Sequence, residues 1–269
     1  MIYLGNKDLP IGVMDSGVGG LTVAKELIRL LPCENVIYFG DSKRMPYGNK
    51  TEEEIVYLAN KIIEFLEIIG VKGILLACNT VSSQIHKLKS NVPLFGIIEA
   101  GCEAALDATG NSKIGLIATV ATVKSSVYER TLEKMDSSKT ILSNDSRKLP
   151  KIINDHLERR DLLDIHIKEC IDPILEKGNI KELILGCSHF PIIQKEIQEL
   201  YPNLVLINPA SKQVKKLQTY LEEKNLLRQC QDHTVQIYTT SGIEEFKGTL
   251  DRLEISGYSL EKVRLLEED

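Results

Sequence analysis

Two phrases of the sequence place a thiol where it could do chemistry: Gly73-Ile-Leu-Leu-Ala-Cys78-Asn-Thr and Glu182-Leu-Ile-Leu-Gly-Cys187-Ser-His. One unpaired cysteine after an apolar run is usually a small buried hydrophobe. Repetition of the whole phrase argues otherwise, because it puts a sulfur at the same structural point twice, where a strand ends and a helix should begin. Backbone N–H groups and the helix dipole at such a point are expected to lower a thiol pKa from about 8.5. His189 follows Cys187 by two residues, close enough to partner a thiolate or a bound carboxylate. A lone Cys–His pair also fits a nucleophilic hydrolase, so acid–base and nucleophilic chemistry both stand at this point. Cys33, Cys102, Cys170 and Cys230 have no comparable setting and are assigned to packing or surface.

The glycine-rich turn Asp15-Ser-Gly-Val-Gly-Gly20 raises phosphate binding first. Its details argue against it. Gly12-x-x-x-x-Gly17 is followed by Val18 and Gly19 rather than Lys-Ser/Thr, and Gly17-x-Gly19 lacks the third glycine of the dinucleotide fingerprint at Thr22. The glycines are better read as giving a tight backbone around Asp15 and Ser16, although either residue could simply cap the next helix. Asp41 and the turn Pro46-Tyr-Gly48 follow a strand-like run, where they could equally be site wall or loop punctuation. His86, His156, His166 and His233 lie in polar helical contexts and are expected to be solvated. No H-E-x-x-H or carboxylate–histidine cluster calls for a catalytic metal.

Elements that could position these groups alternate along the chain. Apolar runs at 11–14, 36–39 and 73–77 precede amphipathic stretches at 21–31, 52–69 and 81–88. Further runs at 94–98, 114–118 and 183–185, with amphipathic stretches at 125–134, 165–175 and 192–200, continue the rhythm. Strands covered by helices on both faces pack as a mainly parallel sheet, an α/β fold. A second repeat, Ile11-Gly-Val-Met-Asp15-Ser16 against Ile114-Gly-Leu-Ile-Ala118-Thr119, makes both halves start alike. Two similar halves, related by a pseudo-twofold, would turn the carboxyl ends of both sheets onto one interdomain cleft. The expected division is residues 1–98 plus 210–269, carrying Cys78, and residues 99–209, carrying Cys187. The strand-like 235–239 and helix-like 243–253 are expected to pack back on the first half.

Composition narrows the class. A hydrophobic content of 43% with 26% charged residues is that of a soluble globular protein, and the apolar stretches are too short to span a bilayer. Residues 1–10 lack signal-peptide features, so a cytoplasmic location and no membrane partner are expected. The net charge of −5, without a basic stripe interleaved with aromatics, speaks against nucleic acid. Six cysteines without a C-x-x-C pair point to free thiols rather than a disulfide framework or structural zinc.

Taken jointly, Asp15-Ser-Gly-Val-Gly-Gly-Leu-Thr, Gly40-Asp41, Pro46-Tyr-Gly48, Ala77-Cys-Asn-Thr80, Gly96-Ile-Ile-Glu99, the stretch 114–128, Leu185-Gly-Cys-Ser-His189 and Thr239-Thr-Ser-Gly242 resemble the glutamate racemases of the aspartate/glutamate racemase superfamily. The resemblance runs nearly end to end. It implies two α/β domains with pseudo-twofold symmetry, racemisation of glutamate without pyridoxal phosphate, metal or other cofactor, and supply of D-glutamate for peptidoglycan. It also implies Cys78 and Cys187 as the two proton donor/acceptors, with Asp15 and His189 as their polar helpers. Substrate would lie against Ser16, Tyr47, Gly48, Asn79, Thr80 and Ser188, with Thr119 and Thr122 nearby and Asp41 as an outer support. These groups suit carboxylate binding without a fixed lysine or arginine clamp.

Three departures are visible. Ser188 stands where the family commonly has threonine, Ala100 where it has proline, and the polar Ser143-Asn-Asp-Ser-Arg-Lys-Leu-Pro150 replaces a Cys-Pro-apolar segment that ends in glutamate. No catalytic glutamate is therefore transferred. The expected partner is small-molecule glutamate, with homodimer formation left open. Two rival readings share the fold: an aspartate or other amino-acid racemase, which would differ in the pocket for the distal carboxylate, and a non-catalytic amino-acid binder, which would need the cleft but not both thiols.

Overall fold

The run Ile11-Gly-Val-Met-Asp15 forms β1 (Ile11–Asp15), buried along its whole length in a computed structural model that describes residues 7–108, 110–229 and 232–266. Cys230 lies outside the described residues. The first stretch continues through α1 (Leu21–Leu30), β2 (Val36–Gly40), α2 (Glu52–Ile69), β3 (Ile74–Leu76), α3 (Asn79–Ser82), β4 (Leu94–Gly96) and α4 (Ile97–Ala108). Then come β5 (Lys113–Ala118), α5 (Val120–Ser125), α6 (Val127–Met135), β6 (Thr140–Asp145), α7 (Leu149–Asp155), α8 (Arg160–Lys177), β7 (Glu182–Gly186), α9 (Gln194–Leu200) and β8 (Val205–Ile207). The chain closes with α10 (Ala210–Glu223), β9 (Val235–Thr239), α11 (Ile243–Arg252) and β10 (Tyr258–Lys262). Among the described residues no helix is long and apolar enough to cross a membrane.

The strands make two wholly parallel sheets, ordered β10-β9-β2-β1-β3-β4 and β6-β5-β7-β8. The two α/β halves expected from the sequence are thus present. Their likeness extends to register: β2-β1-β3-β4 and β6-β5-β7-β8 have one order, with Gly12 opposite Ile74 in the first and Gly115 opposite Leu183 in the second. Continuing that register makes Cys78 and Cys187 equivalent, and likewise Asp15 and Ala118. From β1–β2 and β5–β6, Asp41 corresponds to Ser146.

Each sheet is covered on both faces. One face of the first packs Ile11, Val13 and Tyr38 under α1, α10 and α11, and the other packs Met14, Phe39 and Leu76 under α2. The second sheet buries Leu183 and Leu185 under α7, α8 and α9, and Ile114, Leu116 and Ile184 under α4 and α6. Helix α2 begins where Thr51 and Glu54 form a reciprocal capping box.

Three local expectations are corrected. The strand expected at 94–98 stops at Gly96, because Ile97, Gly101 and Ala105, with Ile98 and Cys102, form a buried helical stripe four residues apart. The amphipathic stretch at 81–88 divides into α3 and a 3-10 turn at Ile85–Lys87. His166 is buried rather than solvated, since it shares the inner face of α8 with Leu163, Ile167 and Cys170, and its Nδ1 lies 2.5 Å from Glu169. His86, His156 and His233 are exposed, though His156 and His233 lie outside the helices.

Candidate functional site

The loops leaving the carboxyl ends of both sheets enclose a cavity of about 270 Å3. Ser16 follows β1, residues 45–49 follow β2, and Cys78, Asn79 and Thr80 follow β3; Thr119 follows β5, Ser146 follows β6, and Cys187, Ser188 and His189 follow β7. Each half therefore contributes one thiol to the same space.

Hydrogen bonds fix the walls. The Cys78 thiol lies 3.7 Å from Ser16 Oγ, and Cys187 Sγ is 3.9 Å from His189 Nδ1. Asp15 is fully buried and its Oδ1 accepts from the Gly17 amide at 3.0 Å. Tyr47 donates to Asp41 Oδ2 at 2.6 Å, while Asp41 Oδ1 accepts from Arg44 and Thr240 at 2.7 Å each. Thr119 Oγ1 is 2.9 Å from both Thr80 Oγ1 and Thr122 Oγ1, a hydroxyl chain that joins the halves. Among the described residues, the buried polar atoms without a hydrogen-bond partner include Asn79 Nδ2, Ser146 Oγ, Asn154 Oδ1 and His189 Nε2 on the cavity lining, and Asp15 Oδ2 behind it. At a cavity wall such groups are ones that a ligand or an ordered water can satisfy.

Burial controls protonation. Desolvation raises the Asp15 carboxyl to about 6, against the pull of the Ser188 hydroxyl and the Gly17 N–H. It raises the Cys78 thiol to about 11, with the Asp15 charge adding to it and the Val81 and Ser16 donors opposing. Cys187 moves far upward for the same first reason, opposed by the His189 N–H. His189 falls to about 4 because its cation would be buried. Burial therefore overturns the lowered thiol pKa expected from a helix terminus. Helix α3 has only four residues and Cys187 leads into the 3-10 turn Phe190–Ile193, so little dipole is available to offset desolvation.

The sequence profile of the Asp/Glu/Hydantoin racemase family matches residues 11–217. The chain belongs to that racemase family. It is 37% identical over 242 residues to glutamate racemase 1 of Caldanaerobacter subterraneus, covering 90% of this chain and 91% of that one. The crystal structure of a Bacillus anthracis glutamate racemase isoform superposes with a TM-score of 0.91 at 33% identity, covering 97% of this chain and 99% of the other. The Francisella tularensis glutamate racemase, solved with D-glutamate, gives 0.87 at 33% identity with coverage of 97% and 99%.

For a racemase of this family, the candidate residues fall into two groups. Ser16, Tyr47, Gly48, Cys78, Asn79, Thr80, Thr119, Cys187, Ser188 and His189 line the cavity. Asp15, Asp41 and Thr122 sit behind it, bonded to or packed against that lining. Arg147 and Lys151 also line the cavity, with Ser146, Pro150, Asn154 and Asp155. Ser146, Arg147 and Pro150 belong to the segment 143–150 whose polarity set it apart in the sequence, and Lys151, Asn154 and Asp155 follow it on α7. That departure was the available signal, and the exposed α7 residues among them gave no other. Among the described residues no three His, Cys, Asp or Glu side chains converge as metal ligands.

Proposed function

We propose that this protein is a glutamate racemase that interconverts L- and D-glutamate by a two-base mechanism. The observation that supports it most is the pair of thiols at register-equivalent positions on two facing sheets, both lining one cavity. The moving units would be residues 1–98 with 210–269 and residues 99–209. As in the relative solved with D-glutamate, the ligand would be glutamate.

Inversion needs a base on one face of Cα and an acid on the other. One sulfur, as thiolate, takes the α-proton, and the other, as thiol, returns a proton to the opposite face, so each turnover exchanges the two protonation states. Asp15 acts on the Cys78 side and His189 on the Cys187 side. Asp15, with its carboxyl at about 6, is ionised at neutral pH, and His189 is neutral. The substrate ammonium brings into the cleft the positive charge that favours a thiolate. Donors from Asn79, Thr80 and Ser188 offset the charge that develops on the α-carboxylate, and apposed halves exclude water. D-Glutamate formed in this way would serve peptidoglycan synthesis in the cytoplasm.

The test is chiral analysis after incubating purified protein, without added cofactor, with L-glutamate, L-aspartate and L-alanine. D-Glutamate should accumulate toward equal amounts of both hands. A kcat/KM clearly higher for aspartate would move the assignment to an aspartate racemase, and activity only after addition of pyridoxal phosphate would exclude the two-thiol route.

A further inference from the structure

Asn79 presents the cavity with an amide whose direction matters. One end is an acceptor and the other a pair of donors, and only the donor end favours a carboxylate or the charge growing on it. The side chain is buried, its Oδ1 accepts a 2.6 Å hydrogen bond from the Tyr128 hydroxyl, and Nδ2 is without a partner among the described residues. Tyr128 is fully buried and its hydroxyl has no other hydrogen-bond partner among the described residues. Burial, with the nearby Cys102 and Cys187 sulfurs, pushes this phenol well above its ordinary pKa, so it keeps its proton and must donate it. Turning the amide over would leave the Tyr128 O–H without an acceptor and put the acceptor Oδ1 in the place of the donor Nδ2.

The contact also spans the joint. Tyr128 comes from α6, beside the sheet that carries Cys187, whereas Asn79 opens α3 beside Cys78. Its ring passes over Gly101 of α4, where a Cβ would stand 3.1 Å from both Cε1 and the hydroxyl oxygen and 3.2 Å from Pro209. An alanine there would make the ring or Pro209 yield by a few tenths of an ångström.

Resting on the racemase reading above, we propose that Tyr128 is a positioning residue for the reaction: from the opposite half, it holds the Asn79 amide with its NH2 group toward the substrate carboxylate. Tyr128→Phe keeps the ring and removes the hydroxyl. Its kcat for glutamate racemisation should fall about tenfold, the loss expected when a buried polar group is left without its partner. KM should change less than about threefold, because the lost interaction matters most in the transition state. In an Asn79→Ala background the same substitution should cost less than about twofold, because residues acting through one contact are not additive. Gly101→Ala, which crowds the ring and hydroxyl without deleting either, should show the same dependence on Asn79 and covers the case in which Tyr128→Phe folds poorly. A readout independent of turnover is the 15N resonance of the Asn79 side-chain amide, assigned by its loss in Asn79→Ala and expected to shift in Tyr128→Phe. Equal fold-losses with and without Asn79, or an unmoved amide resonance, would overturn the proposal. If wild-type protein fails to racemise glutamate, the functional reading falls, and the resonance still decides whether Tyr128 positions Asn79.

Discussion

Asp15 shows how burial sets the resting state of the cleft and what pH should do to it. Its carboxyl at about 6 means that acid protonates it before most carboxylates lose function, removing the acceptor beside Cys78. The kcat/KM profile should therefore fall on the acid side with an apparent pKa near that value, and Asp15→Asn should lose this limb along with most activity. Stability moves the other way. A folded pKa above the ordinary 3.8 contributes stability that is fully present below 3.8 and lost as pH rises through about 6. Denaturant unfolding at pH 8 should accordingly find Asp15→Asn more stable, by up to about 3 kcal/mol. The sulfurs make a second prediction: Cys78→Ala and Cys187→Ala should each abolish racemisation. In deuterated water, wild-type product of inverted hand should be labelled at Cα while recovered substrate lags, since the returned proton comes from a solvent-equilibrated thiol. Equal early labelling of both hands would indicate a single shuttling base. The two thiols could be picked out in the sequence because their phrase recurs, and Asp15 because it opens a glycine-rich turn. Their upward pKa shifts could not, since desolvation depends on what the other half packs over them.

At the scale of elements, the loop after β1 is pressed against the loop after β7. A Cβ on Gly19 would stand 2.6 Å from His189 Nδ1 and 2.6 Å from Ser188 Oγ, with the His189 amide nitrogen 2.9 Å away. Gly19→Ala must push His189 or Ser188 out of place, so kcat/KM should drop by about 10- to 100-fold, as misplacements of about 1 Å commonly do. Circular dichroism and thermal unfolding should show the fold retained, and unchanged kinetics would mean the loops yield freely. Long periodic elements such as α2, with its capping box, were readable from the chain, as were the five buried strands β1, β2, β3, β5 and β7. Elements with weaker patterns were not: β8 has three residues, β10 is the polar Tyr-Ser-Leu-Glu-Lys, and α10 is mostly polar outside a narrow stripe packed on α1 and α4. Each owes its place to partners distant in sequence, β10 to β9 and α10 to both neighbouring helices.

For the whole molecule, the repeat foretold two matching sheets, but not where they differ. Equivalence of Asp15 with Ala118 and of Asp41 with Ser146 leaves the first half with carboxylates where the second has none, while His189 answers Thr80. The segment after β6 then lacks an Asp41-like anchor and instead brings Arg147 and Lys151 to the cavity, with Asp155 as the opposing charge. This matters for capture because the chain as a whole carries −5, and glutamate is a net anion at neutral pH. Local cations at the mouth can reverse the field a substrate meets, over a range of about 8 Å at physiological ionic strength. Both side chains are exposed, so they should act on encounter and binding rather than on proton transfer. The double variant Arg147→Gln/Lys151→Gln should lower kcat/KM for glutamate by about 3- to 10-fold at low salt through KM, with kcat within about twofold. Added salt should shrink the gap between wild type and variant as screening replaces the lost charges. A gap that persists at about 0.5 M salt would show instead that these residues bind the substrate carboxylates directly, restoring the fixed clamp that the rest of the cleft does without.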